Sequence, residues 1–253
     1  IVRPCLAAIN SGQPFAGGPR LTMAYNAAIH MDWGLFFEFE VPLAPLLPLL
    51  PPGIAAVGND AEKAVLTLNL AHFVQGGDQI DLPENHEIDF GVLVPVDNTN
   101  YQGMPQADAA AHMLNIASDS KGYLEVCKDS GYCIHDRPNL TFEFDQNGLN
   151  GRVWDDDGPI VSIKTVKGEA LKYGPFRRVG QDVVYDHREE YRLNFVFEGK
   201  GLIDPSPNLF EIVLESHPFF RGLALSGRQI CQSQFALSFG EKATLSFFGA
   251  NED

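Results

Sequence analysis

A chain of 253 residues, 45% hydrophobic and 20% charged, has the make-up of a soluble globular protein with room for a substantial core. Its formal net charge of −15 excludes nucleic acid and anionic membrane surfaces as partners, because phosphate binding needs a basic face. No apolar run is long enough for a spanning helix, and the greasiest stretch, Val41–Leu50, is broken by three prolines.

Residues 1–20 are rich in glycine and proline and lack periodicity, so they read as an extended arm. After a transition over residues 21–30, Trp33–Val41 is the first convincing strand, with Glu38 and Glu40 alternating against aromatic residues. The proline-leucine stretch that follows allows a turn or two of helix at most before Pro51-Pro52-Gly53. Ala64–His72 reads as a strand, Gln75–Glu84 as a loop and His86–Val96 as a strong strand, acidic at its start and apolar beyond. Asp97–Gln106 is polar loop, and Ala109–Leu114 gives the best helix in the chain on propensity.

Beyond Pro138 the pattern is antiparallel β. Leu140–Phe144 and Gly151–Trp154 are joined at Asn147-Gly148, and Ile160–Val166 follows the solvated turn Asp155-Asp156-Asp157-Gly158. Tyr191–Glu198, Phe210–Glu215 and Ala243–Phe248 add strands. With no repeat and no linker, residues 21–253 make one β-rich α+β domain, a twisted antiparallel sheet closing towards a barrel with a few short helices.

Two stretches carry chemistry. In His86-Glu87-Ile88-Asp89 alternation sends Glu87 and Asp89 to one face, beside an apolar interior where desolvation raises a carboxyl's pKa and fits it for acid/base work. In Cys127–Pro138 two cysteines, His135 and several charges crowd a loop just before a strand. Cys127 and Cys133 are close enough to bridge, which leaves the compartment open between cytoplasmic and secreted after leader removal. With His135 they offer three metal ligands, but a fourth has to come from an unproven fold contact, so no metal and no cofactor is assigned. Local signatures of hydrolases and nucleotide sites are missing from the sequence.

The order of elements resembles the acetoacetate decarboxylase superfamily. The resemblance rests on the strand and leucine-proline segment of Phe36–Ile54, the glutamate-led strand Glu87–Val96, and the loop and hairpin of Gly131–Val153. It covers roughly Trp33–Val166 and is weaker beyond. It implies a pocket for β-keto acids, a buried lysine that forms an imine, and a homo-oligomer in which the arm 1–20 could clasp a neighbour.

Laid on Tyr132, the family's aromatic-Pro-Lys-Lys loop puts Cys133 at the proline, Ile134 at the imine-forming lysine and His135 at its neighbour. Isoleucine cannot form an imine, and the family's arginine falls on or beside Asp32, of opposite charge. The implied site therefore has Glu87, His135 and Asp32 as acid/base residues, with Glu87 the base and His135 the group that polarises the carbonyl. Tyr132, Cys133, Phe36, Phe90, Leu93 and Arg137 stand as binding residues, Arg137 only if it turns inward. The expected activity is non-covalent lyase or isomerase chemistry on a small, neutral or weakly polar carbonyl compound. The alternatives are an apolar-ligand binder or an assembly protein that keeps the fold.

Overall fold

A computed structural model describes residues 27–76, 83–145, 149–166, 173–186, 189–203, 209–237 and 243–249. The arm 1–20 and the Asn147-Gly148 turn lie outside the described residues, as does part of the Gln75–Glu84 loop.

Four strands open the chain: β1 (Ala27–Pro42), β2 (Lys63–Gly76), β3 (Asn85–Val94) and β4 (Ala109–Ser118). Neighbours in this series pair antiparallel. Helix α1 (Lys121–Asp129) follows, then β5 (Thr141–Phe144), β6 (Gly151–Asp155) and β7 (Gly158–Thr165). The long hairpin of β8 (Tyr173–Asp186) and β9 (Glu189–Ile203) comes next, and β10 (Phe210–Leu214), β11 (Gly227–Gln229), β12 (Ser233–Leu237) and β13 (Ala243–Gly249) complete the chain.

The ring β1-β2-β3-β4-β8-β9-β13 closes back on β1 as a seven-stranded barrel. It is mixed rather than purely antiparallel, because β4 and β8 run parallel. Between β1 and β9 the wall is built in two pieces: β13 pairs with Ala27–Met31 and β12 with Gly34–Glu38. Both pieces also pair with β9.

The barrel has two apolar faces. Outward residues such as Phe37, Phe39, Leu68, Ile88 and Phe90 pack under a second sheet, β11-β10-β7-β6-β5, whose Val153, Ile163, Phe210 and Ile212 complete the main core. Phe37 meets Phe210 edge-on at 5.5 Å, and Phe90 lies against Phe219 and Phe220 at 5.2 and 5.4 Å. Inward residues line the lumen instead.

The helix expected at Ala109–Leu114 is β4. Alanine's propensity is worth only tenths of a kilocalorie per residue, and pairing to β3 on one side and β8 on the other outweighs it. Small inward side chains at Ala109 and Ala111 help leave the lumen hollow. The helix comes one step later, where the Ser120 side chain caps the Tyr123 N–H at 3.3 Å and Gly131, at φ 84°, ends the turn. The proline-leucine stretch holds one 3₁₀ turn, Leu47–Leu49.

Candidate functional site

The lumen is a cavity of about 480 Å³. Period-two alternation delivers its walls: Asn69, Ala71 and Phe73 from β2, Glu87 and Asp89 from β3, Arg178, Gly180 and Asp182 from β8, and Phe195 and Phe197 from β9. Helix α1 supplies Tyr123 and Cys127 one turn apart, and the loop after it supplies Tyr132. That loop is held to β4 like an added strand, by Cys133 O accepting from Ile116 N at 2.9 Å and His135 N donating to Ile116 O at 2.7 Å.

Polar groups gather at the α1 end. Asn69 Nδ2 donates to Asp89 Oδ1 at 2.8 Å, and the Tyr132 hydroxyl donates to Asp182 Oδ2 at 2.8 Å. Glu87 is 8% exposed, and its Oε2 is buried with no hydrogen-bond partner among the described residues. Such an orphaned oxygen costs free energy unless something else fills its valence.

Burial raises the pKa of Glu87, partly offset by hydrogen bonds with Asp89 and Tyr123. Burial and then the Glu87 charge push Asp89 further up. Burial, with a contribution from Glu87, lifts Asp182 to about 7. Crowded carboxyls of one sign thus keep protons that isolated ones would have lost. Tyr123 and Tyr132 are also raised, chiefly by burial, and stay phenols that donate.

At the other end Arg178 is engaged, its Nη2 on Glu38 Oε1 at 2.6 Å and its guanidinium 4.9 Å above Phe235. Phe36 stacks on Phe235 at 4.5 Å and meets Phe197 edge-on at 4.6 Å, so the middle of the lumen is aromatic. Among the described residues no lysine lines the cavity.

Of the residues singled out in the sequence, Glu87, Tyr132, Phe36 and Leu93 meet in this lumen. Asp32 does not: it is half exposed outside it, 3.7 Å from His72. Phe90 faces the other way, into the main core, because alternation from Asp89 sends it outward. Arg137 points to the surface and pairs with Asp157 at 2.9 Å, and Cys133 does not line the cavity. Cys127 and Cys133 are not bridged; burial raises the Cys127 thiol well above its usual range. Ile134 packs against Ile116, Leu124 and Cys127.

His135 sits in a second buried cluster. Its Nε2 donates to Asp155 Oδ2 at 2.6 Å, and His217 Nε2 donates to Asp155 Oδ1 at 2.9 Å. The Asp-rich turn is therefore not wholly solvated: Asp155 ties the β6–β7 hairpin to two distant loops. Burial would raise Asp155, but the hydrogen bonds from His135, His217 and the Asp157 N–H outweigh it and lower its pKa.

These three ligand-type groups lie within 4.8 Å of one another, yet their tautomers argue against a metal. His217 Nδ1 accepts the Phe219 N–H at 3.1 Å, so its one proton is on Nε2, towards Asp155. A metal-bound imidazole needs its remaining nitrogen to donate instead. The cluster is a hydrogen-bonded clasp.

Sequence reasoning paired Glu87 with Asp89 but missed Asp182 and Tyr123. Asp182 had one signal available, the inward series Arg178, Gly180, Asp182 at period two.

No protein-family model matches the sequence, and no curated protein matches it. Solved structures do. An acetoacetate decarboxylase superposes with a TM-score of 0.59 over 90% of this chain and 88% of its own, at 10% identity. The acetoacetate decarboxylase of Legionella pneumophila gives 0.56 over 98% and 94%, at 8% identity. The enduracididine biosynthesis enzyme MppR gives 0.54 over 95% and 97%, at 10% identity, and a structure of it in complex with pyruvate gives 0.50. The chain has the acetoacetate decarboxylase-like fold.

Proposed function

We propose that the protein is an enzyme of lyase or isomerase type, which binds a small carbonyl compound in the barrel lumen and moves a proton on it without forming a bond to an amine. The observation that carries this reading is Glu87, buried, raised in pKa and left with an unpartnered oxygen. A desolvated carboxylate is a stronger base than one in water and is effective near its pKa. Glu87 removes a proton from the carbon next to the carbonyl. The phenols of Tyr123 and Tyr132, kept protonated by burial, are the donors at hand for the oxygen of the resulting enolate. Glu87 itself holds the proton and returns it to the enolate. His135 and Asp32 have no part in this reading, since the one is bound into the clasp and the other lies outside the lumen. The pyruvate complex of MppR supports a small carbonyl compound as a guest of this fold.

The test is exchange of α-hydrogens for deuterium in a panel of simple ketones and β-keto acids, followed by proton NMR. Glu87→Gln should slow exchange about 100-fold or more at unchanged fold. Borohydride treatment in the presence of the same compounds should leave the intact mass unchanged. Exchange that survives Glu87→Gln removes Glu87 as the base, and a reduced adduct on a lysine removes the non-covalent route.

A further inference from the structure

The lumen's charges do not balance. Glu38 has Arg178, but Glu87, Asp89 and Asp182 share the other end, and Arg178 is the one cation among the described lining residues. Their donors are neutral: Asn69 on Asp89, Tyr132 on Asp182, Tyr123 on Glu87. One oxygen of Glu87 has no donor among the described residues. Three carboxyls in one partly closed space are unfavourable for the protein alone, and they gain most from a guest that brings positive charge and N–H donors. Next to them the wall is aromatic, with Phe36, Phe195, Phe197 and Phe235, a surface suited to the hydrocarbon body of a guest.

We infer that the site takes an organic cation, an ammonium or guanidinium group one or two carbons from the carbonyl, with an apolar body directed towards the aromatic wall. This rests on the proposed proton transfer by Glu87 and names its substrate class. It replaces the neutral substrate anticipated from the sequence. The cationic group sits on Asp182 and Asp89, which leaves Glu87 facing the adjacent C–H bond. The positive charge also makes that C–H more acidic. No redox partner is needed: the proton passes from carbon to Glu87, and the electron pair stays on the substrate as the enolate.

A bare inorganic cation is the less suitable occupant, because the phenyl rings packed together in the middle of the lumen give it no ligands.

Proton linkage follows from the same groups. The titratable and charged side chains facing Asp182 across the lumen are Glu87 and Asp89 of β3, Tyr123 and Cys127 of α1, Tyr132 of the loop, and the Arg178–Glu38 pair further off. A bound cation favours the ionised carboxylate, so binding at pH 6 releases protons and affinity rises as pH increases through about 7.

The test is calorimetry on the full chain with three probes of one shape: 2-phenylethylammonium, 2-phenylethanol and 3-phenylpropanoate. Because none of them has an exchangeable proton next to a ketone, the readout is independent of catalysis. The ammonium should bind about 10-fold or more tighter than the alcohol, and the carboxylate weakest. The preference should grow from pH 6 to pH 8, with proton release at pH 6 seen from two buffers of different ionisation heat. Asp182→Asn should erase most of the preference while keeping affinity for the alcohol, and Asp89→Asn serves if the first variant does not fold. Equal binding of alcohol and ammonium overturns the inference, as does no binding of the ammonium at millimolar concentration, or its displacement by magnesium chloride. If Glu87→Gln abolishes deuterium exchange while the ammonium shows no preference, the proposed reaction stands and this substrate class falls. The reverse pattern separates them the other way.

Discussion

Asp182 shows how one side chain couples stability to the site. Its carboxyl is lifted from an ordinary value of 3.8 to about 7, first by burial and then by the Glu87 charge, against a hydrogen bond from Tyr132 that lowers it. A carboxyl whose pKa is higher folded than unfolded leaves stability untouched below the unfolded value. It subtracts stability progressively as pH rises towards the folded value, because the folded state holds the extra proton. Asp182→Asn removes that penalty and keeps a side chain that can accept from Tyr132. The melting temperature of the variant should exceed that of the wild type at pH 8, and the gap should narrow steadily as the pH is lowered from 7 to 5. A constant difference across that range would show that charge is not the cause. Activity should move in the opposite direction, which is the usual relation between a strained site and its scaffold.

At the level of elements, β3 shows most plainly what alternation controls. Glu87 and Asp89 point into the lumen, and the pairing with β4 slips by one residue between Phe90 and Gly91. At that slip a Cβ on Gly91 would come within 2.8 Å of the His112 carbonyl oxygen and 3.1 Å of the Met113 sulfur. Backbone cannot yield as a side chain can, so Gly91→Ala should cost about 1–3 kcal/mol in urea unfolding and disturb Asp89 two residues away. An unchanged midpoint would mean that the bulge relaxes freely.

Local pattern made β3 legible in the sequence, along with the strand character of β1, β2, β7, β9 and β10. Glu87 and Asp89 were legible for the same reason, since a period of two needs only neighbouring residues. The failures occurred where the deciding contact is distant in sequence. Ala109–Leu114 looks helical until β8, some 70 residues later, pairs with it. His135 looks like a site residue until Asp155 and His217 take up its imidazole. Asp182 was passed over because β8 has no apolar run to announce it: its inward face is spent on Arg178, Gly180 and Asp182.

For the molecule as a whole, the lumen and the main core are opposite sides of the same strands. The outward faces are sealed by a second sheet over β1, β2 and β3, and one end of the lumen is covered by α1 and its loop. The wall between β1 and β9 is built differently from the rest of the ring. One stave there is two short strands, β12 and β13, where every other position has a continuous one. Short segments hold fewer ladder bonds each and can detach singly, without the rest opening. In amide exchange followed by mass spectrometry, β12 and β13 should take up deuterium well before β2 or β8, and a tightly held guest should slow them. A vessel with a split plank can exchange its contents through the side, leaving the lid that carries Tyr123 and Tyr132 undisturbed.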